Sequence, residues 1–277
     1  MFQPIIPLGG TGGWRFLQAT YDRQLQSHSQ SPQIRLDSEY LAQKLSEPLS
    51  VDDFLSDSRL LRISLTSFDL GGEEWKRGFI DKVLIESSDA DSTFLARLNN
   101  PKYTKFAEAF SPTNGMISLT PQRVSQMATQ YEAAAFEASV GEVDDNMRLS
   151  LNYQSEIGAI VSSGSSETTI LYRLLGDVPV RRLLEGATNL PTEIQNLPIE
   201  RQADLLKERL QNTLGIRDLS QLAEPANIER MISRFHALDA VKQGVSANSP
   251  TSVALSVLSS ASGLGSLASQ NLFLSRF

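Results

Sequence analysis

Helical spacing of apolar residues, interrupted by prolines and glycines, is the feature that most constrains this chain. Proline opens apolar-periodic segments at Pro121, Pro198 and Pro225, and the first two of these segments end at Gly141 and Gly215. Proline is tolerated in the first helical turn and glycine just after the last one, so these signals agree with the apolar period. Strand-like alternation is hard to find. The pattern predicts an all-α fold, an elongated multi-helix bundle of about ten helices.

Two long predicted helices are separated by a very short turn. One runs from Thr120 to Val140 and the other from about Asp144 to Val161, with Gly141 between them. Helices joined in this way pack antiparallel. We therefore expect antiparallel helical hairpins within the bundle.

Capping side chains mark further helix starts. Ser50 followed by Asp53 is typical of a capping box, and Asp57 is placed to cap the next apolar run. Another predicted helix begins after Gly71-Gly72, and it carries on one broad face the residues Trp75, Phe79, Ile80, Val83 and Leu84. We interpret this stripe as core rather than as a cofactor contact.

The predicted domain organisation has three parts. A flexible N-terminus, residues 1–12, precedes an all-helical domain over 13–244, which divides into sub-bundles 13–118 and 119–244. The Gly-rich run at 9–13 is interpreted as a hinge, since no strand precedes it and it lacks the lysine of a phosphate-binding loop. The remaining 33 residues, 245–277, form a Ser/Ala/Leu-rich tail whose only charged residue is Arg276.

Composition excludes several classes of function. The 277 residues contain no cysteine, which removes disulfide frameworks and thiolate metal sites. The two histidines are too few for a classical zinc site; we expect His28 to be solvated and His236 to lie at the core edge or the surface. A net charge of −7 argues against nucleic acid as a partner. No apolar run predicts a transmembrane segment, and we expect no metal and no cofactor.

Glu86-Ser87 is the sharpest enzymatic possibility. The pair ends an apolar predicted helix, and all-α lytic transglycosylases place their catalytic glutamate in a Glu-Ser dipeptide. A carboxylic acid with a raised pKa can protonate a glycosidic oxygen. The downstream segment of those enzymes is absent here, so a peptidoglycan-cleaving enzyme using Glu86 is kept as an alternative only.

Residues 59–110 resemble a known family. The matching motifs are Arg59-Leu60-Leu61, Phe68-Asp69-Leu70, Phe79-Ile80-Asp81-Lys82-Val83-Leu84, Thr93-Phe94, Pro101-Lys102-Tyr103 and Ala109-Phe110. Similarity continues through residues 130–157 and covers most of 10–240. The chain thus resembles an uncharacterised alphaproteobacterial domain-of-unknown-function family that is often encoded within flagellar gene clusters.

The resemblance implies an association with flagellar biogenesis or motility through genomic context, without a mechanism. Its motifs are helix-packing and capping residues, so it implies no catalytic residue. We expect a non-enzymatic protein that contacts other proteins, flagellar components, in flagellar assembly or at the flagellar base. It would be cytoplasmic, or exported to the flagellum without a cleaved signal. A helical scaffold unrelated to flagella is the other alternative.

The low-charge tail supplies the predicted partner-binding residues. An apolar stripe there would become ordered by burial in a partner's groove. The predicted contact residues are Val253, Val257, Leu258, Leu264 and Leu267.

Overall fold

Helices make up most of the described backbone, which confirms the all-α prediction. The structure is a computed structural model and describes residues 2–87, 89, 92–98, 100–162 and 166–247. The α-helices are α1 (Gly10–Ser29), α2 (Pro32–Lys44), α3 (Val51–Ser56), α4 (Ser58–Thr66), α5 (Arg77–Ser87), α6 (Phe94–Leu98), α7 (Pro101–Phe110), α8 (Pro121–Val143), α9 (Asp145–Val161), α10 (Glu167–Gly176), α11 (Val178–Thr188), α12 (Ile199–Leu214) and α13 (Pro225–Ala247).

Short elements join these helices. Single 3-10 turns lie at Glu74–Lys76, Thr192–Asn196 and Leu219–Ala223. A two-stranded antiparallel sheet pairs β1 (Leu49–Ser50) with β2 (Met116–Ile117). This sheet ties the start of α3 to the loop before α8.

Helix starts are fixed by the side chains that the sequence indicates. The hydroxyl of Ser50 accepts a hydrogen bond from the Asp53 amide at 3.0 Å, and the carboxylate of Asp57 accepts one from the Leu60 amide at the same distance. The Thr120 hydroxyl likewise accepts from the amide of Arg123 at 3.3 Å. Each bond satisfies an amide that has no partner within its helix.

A first core lies among α2 to α7 and the first half of α8; we call this region the first lobe. Its centre is aromatic, since the rings of Phe106 and Phe110 lie 4.8 Å apart and Phe54 lies 4.9 Å from Phe110. All three side chains are fully or almost fully buried. Leucines and isoleucines of α4 and α5 surround them.

A second core lies among α1, the second half of α8, and α9 to α13; we call this region the second lobe. Trp14, Phe136 and Tyr153 have no exposed surface there. Helices α11 and α13 approach closely at Gly186, where a Cβ atom would lie 2.6 Å from the Phe235 ring. The second lobe therefore depends on tight helix packing.

The single helix α8 belongs to both lobes. Val124, Met127 and Tyr131 face the first core, whereas Phe136 and Val140 face the second. This division differs from the expected sub-bundles 13–118 and 119–244, because α1 packs in the second core and α8 continues from the first lobe into the second. The chain therefore enters the second lobe first, builds the first lobe, and returns along α8.

The N-terminal residues follow α1 closely, although the sequence predicts a flexible segment over 1–12. The Ile5 amide donates to Gln24 Oε1 at 2.7 Å, and Gln24 Nε2 donates to the Ile5 carbonyl at 3.1 Å. Gly13 makes room for this path, since a Cβ there would lie 1.8 Å from the Leu8 carbonyl oxygen. Glycine in this run thus permits close backbone approach.

The predicted partner-binding residues of the tail lie outside the described residues. These are Val253, Val257, Leu258, Leu264 and Leu267. Among the helices that the structure does describe, none combines the length and the apolar character needed to cross a membrane.

Candidate functional site

A cavity of about 780 Å³ lies where the two lobes meet; we call it the inter-lobe cavity. One face of α8 lines the cavity over more than three helical turns. The other walls come from α1, α7, α9 and the loop after α4. Its volume is typical of ligand sites, which usually lie between structural units. Most of the residues that line it are polar or charged, but apolar atoms supply the larger part of its surface, so the lining suits a ligand that carries both polar and apolar groups.

Four glutamine side chains from three helices line this cavity: Gln18 on α1, Gln126 and Gln130 on α8, and Gln154 on α9. All four are exposed to solvent. Within the described residues, no side-chain hydrogen bond to another protein group engages them. Each amide therefore offers a donor and an acceptor to a bound molecule.

Two ion pairs cross between the lobes beside the cavity. Lys102 Nζ on α7 lies 3.3 Å from Asp177 Oδ2, and Lys105 Nζ lies 3.4 Å from Glu156 Oε2 on α9. Burial opposes the charge on Lys102, but Asp177, Asp69 and Glu156 outweigh it and raise the lysine pKa. Both lysines are thus already matched by carboxylates of the second lobe.

Two carboxyl groups in the cavity have raised pKa values. Burial raises the pKa of Glu137 on α8 to about 8, and the Asp69 charge adds to this, while Arg148 and Lys102 oppose it. Desolvation by the surrounding protein likewise raises the pKa of Asp69, although the residue as a whole keeps an exposed surface. At neutral pH Glu137 is therefore largely protonated, and it can donate or accept a hydrogen bond.

The left-handed backbone of Asp69 places its side chain. Its φ angle is +56°, a region that residues other than glycine rarely adopt. The Asp69 amide donates to the Thr66 carbonyl at 3.1 Å in the tight turn that ends α4. The turn delivers the carboxyl group to the cavity wall.

Glu86, the enzymatic candidate from the sequence, does not line this cavity. It lies in the last turn of α5, and its Oε2 accepts a hydrogen bond from the Ser92 hydroxyl at 2.5 Å. Glu86 thus lies at the end of its helix in the first lobe, apart from the cavity.

Both histidines are buried in the second lobe, which corrects the expectation of a solvated His28. His28 lies between the rings of Phe2 and Phe136, at 5.6 Å from each. His236 stacks on Trp14, and its Nε2 lies 3.0 Å from the Ser150 hydroxyl. Burial lowers the pKa of each histidine. Histidine, aspartate and glutamate form no group able to hold a metal ion among the described residues.

None of the cavity residues was predicted as a functional residue from the sequence, although several lie within the stretches that carry the family resemblance. Asp69 and Lys102 stand within motifs that carry the family resemblance, and Gln130, Glu137 and Glu156 stand within the similar stretch 130–157. The available signal is the polar stripe of α8, since positions 126, 130 and 137 share one helical face. This stripe indicates a solvent-exposed face of α8, but it does not indicate which residues lie opposite that face.

Comparisons with known proteins agree with this architecture. The fold resembles the crystal structure of protein AGR_C_984 from Agrobacterium tumefaciens, with a TM-score of 0.67 and 19% identity over 87% of this chain and 99% of that one. At this identity the likeness shows the fold alone. A comparison with curated proteins finds no match.

A family profile matches a longer and more central part of the chain than the motifs above. The profile described as protein of unknown function (DUF1217) matches residues 67–228, which include the loop at Asp69 and all of α7, α8 and α9. The match spans more than half of the chain. The protein therefore belongs to the DUF1217 family.

Proposed function

We propose that this protein is a non-enzymatic component of bacterial flagellar assembly or of the flagellar base, and that it binds an extended segment of a partner protein in the inter-lobe cavity. The carrying observation is the set of four glutamine amides that face the cavity without a protein partner among the described residues. The partner is a flagellar protein, and binding takes place in the cytoplasm or after export to the flagellum.

Glutamine side chains suit a polypeptide backbone. An extended segment exposes amide donors and carbonyl acceptors along its length, and each glutamine can satisfy one of each kind. Gln126 and Gln130 are one helical turn apart on α8, and Gln18 and Gln154 stand on the flanking helices. A segment lying in the cavity would meet amides from three sides.

The flagellar part of the proposal is supported by the resemblance of residues 59–110 to a family encoded within flagellar gene clusters. Two of the resembling motifs contribute Asp69 and Lys102 to the cavity. The same stretch therefore links the genomic association to the candidate site.

Swimming motility tests both parts. An in-frame deletion in the native host is complemented with wild type, with Gln126→Ala/Gln130→Ala, or with the control Gln43→Ala/Gln211→Ala, whose residues are exposed on α2 and α12. We expect the deletion to abolish swimming, and the wild type and control, but not the cavity variant, to restore it. Imaging of filaments separates assembly from rotation.

Two outcomes contradict the proposal. Unchanged swimming in the deletion strain removes the flagellar role. Full restoration by the cavity variant, at an expression level equal to that of the control, removes the cavity from that role.

The enzymatic alternative has its own test. Purified peptidoglycan is incubated with wild type and with Glu86→Gln, and released muropeptides are measured. Release by wild type that is lost in the variant supports a lytic enzyme, whereas no release by wild type removes it.

A further inference from the structure

We propose that the inter-lobe cavity selects a polypeptide segment that carries a lysine or arginine, and that the carboxyl groups of Asp69 and Glu137 receive its charged group. This inference rests on the proposed binding of a polypeptide at the same site. It adds the chemical feature by which the partner is recognised.

The cavity lining contains more acidic than basic side chains that lack an ion pair within the described residues. The lining contains five acidic side chains, on Asp22, Asp69, Glu108, Glu137 and Glu156, and three basic ones, on Lys102, Lys105 and Arg123. The two lysines are held in ion pairs by Asp177 and Glu156. The other acidic side chains of the lining form no ion pair or side-chain hydrogen bond within the described residues. The charge that a ligand can satisfy is therefore mainly negative.

Asp69 and Glu137 form no ion pair within the described residues, and the charge of Asp69 acts on Glu137, while Lys102 and Lys105 act on Asp69. Glu137 lies two turns after Gln130 on the same face of α8, and the Asp69 charge contributes to its raised pKa. Tyr21 from α1, Lys102 from α7, and Arg148 and Glu156 from α9 also face Glu137. Lys102 and Arg148 do not bring the pKa of Glu137 back to the ordinary value of a glutamate, so the site can accept a further positive charge.

The arrangement of the cavity favours a basic side chain on a polypeptide over a free cation. A cavity of about 780 Å³ is much larger than one ammonium or guanidinium group requires. The amides of Gln126 and Gln130 precede Glu137 along α8, so they would hold the backbone while the carboxyls hold the side chain. Arginine matches carboxylates with parallel hydrogen bonds.

Binding of a cation would have a proton signature. A positive charge beside Glu137 favours its ionised form and lowers its pKa, so that binding near neutral pH releases a proton. The affinity for a basic segment would therefore rise as the pH increases towards about 8, the pKa of Glu137 in the free protein, and level off above it. A neutral segment of the same shape would not show this rise.

The experiment compares two peptides on the full chain by fluorescence anisotropy. The first is fluorescein-labelled Gly-Ser-Gly-Arg-Gly-Ser-Gly, and the second has citrulline, a neutral analogue, in place of arginine. We expect the arginine peptide to bind about tenfold more tightly above pH 8 and to lose most of this advantage near pH 6. Glu137→Gln should remove most of the preference, whereas the exposed control Glu142→Gln should keep it. Circular dichroism verifies that each variant is folded.

Each other outcome is decisive. Equal binding of both peptides that is lost in Gln126→Ala/Gln130→Ala overturns the charge selectivity and leaves the polypeptide site standing. Failure of both peptides to bind overturns the inference together with the cavity site. An arginine preference that survives in Glu137→Gln and in Asp69→Asn also overturns it.

Discussion

Helices α1 and α2 pack on the two halves of α8 through different buried groups. In the first lobe, α2 buries the carboxylate of Asp37, which accepts hydrogen bonds from Arg59 at 2.8 Å, Arg62 at 2.8 Å and Tyr131 of α8 at 2.7 Å. In the second lobe, α1 buries the ring of His28 against Phe136 of α8. One contact depends on an ionised group with several partners, and the other on an aromatic ring that burial favours in its neutral form.

The difference gives the lobes different responses to acid. Burial opposes ionisation of Asp37, but hydrogen bonds from Arg62, Tyr131, Arg59 and Gln33 outweigh it and hold its pKa at about 2. Its contribution is present above the ordinary pKa of aspartate, 3.8, and is lost as pH falls towards about 2. The histidine pKa values are lowered from 6.5, so protonation favours the unfolded chain below that pH. Protonation of the histidines should therefore weaken the second lobe at a pH where Asp37 is still ionised, while Glu137, whose pKa is raised from 4.5 to about 8, acts in the opposite direction over that interval.

The largest expected effect is on the buried charge of the first lobe. Asp37→Ala leaves the buried hydroxyl of Tyr131 without its acceptor and separates two arginines from their carboxylate. Because the arginine heads are about 40% exposed and can turn to water, we expect a loss of about 3 kcal/mol in the free energy of unfolding, measured with urea. Asp204→Asn, on an exposed face of α12, is the control. A loss no larger than that of the control would contradict the role of Asp37.

A somewhat smaller effect tests packing in the second lobe. Gly186→Ala places a Cβ atom against the Phe235 ring and forces α11 and α13 apart, which should cost about 1–3 kcal/mol of unfolding free energy. Gly158→Ala in α9 is the matched control, since a Cβ there meets no atom within 4 Å. The control should leave stability unchanged or increase it by up to about 1 kcal/mol. Equal effects of the two substitutions would show that the α11–α13 contact is not tight.

The effect of acid on each lobe can be measured separately in helices α1 and α2. Hydrogen exchange, corrected for the intrinsic rate at each pH, should accelerate in α1 more than in α2 when the pH is lowered from about 7 to about 5. His28→Leu should reduce this difference because it removes one of the two buried titrating rings. Equal acceleration of both helices would mean that the buried histidines do not distinguish the lobes.

The smallest effect concerns the ion pairs between the lobes. Lys105 is 47% exposed, so Lys105→Gln should change the unfolding free energy by less than about 1 kcal/mol, and less again at high salt. The chain itself passes between the lobes at the α1–α2 turn and along the continuous helix α8. A loss comparable to that of Asp37→Ala would instead make the ion pair a principal link between them.

Local features of this fold were predictable from the sequence. The caps at Ser50, Asp57 and Thr120 act within three residues, so adjacent letters are enough to identify them. The antiparallel packing of α8 on α9 likewise follows from the sequence, because the turn between them is too short for the two helices to pack in another orientation. These predictions are confirmed because the interactions that decide them are local.

Tertiary features were not predictable in the same way. Asp37 looks like a surface residue until Arg59, Arg62 and Tyr131 are brought to it from 22, 25 and 94 residues away. Trp75 belongs to the expected apolar stripe, but it stands in a 3-10 turn, where the helical register of α5 does not apply, and it is 78% exposed. The inter-lobe cavity is a further case, because each wall comes from a different part of the chain.

Side-chain amide signals give the most direct test of the inter-lobe cavity as a polypeptide site. Nitrogen-15 spectra of the full chain would be recorded while the arginine peptide is added, with the glutamine signals assigned by substitution. We predict that the signals of Gln18, Gln126, Gln130 and Gln154 shift together, with one affinity, while those of Gln43 and Gln211 stay in place. Unmoved cavity signals, or shifts at the two control glutamines alone, would contradict the account.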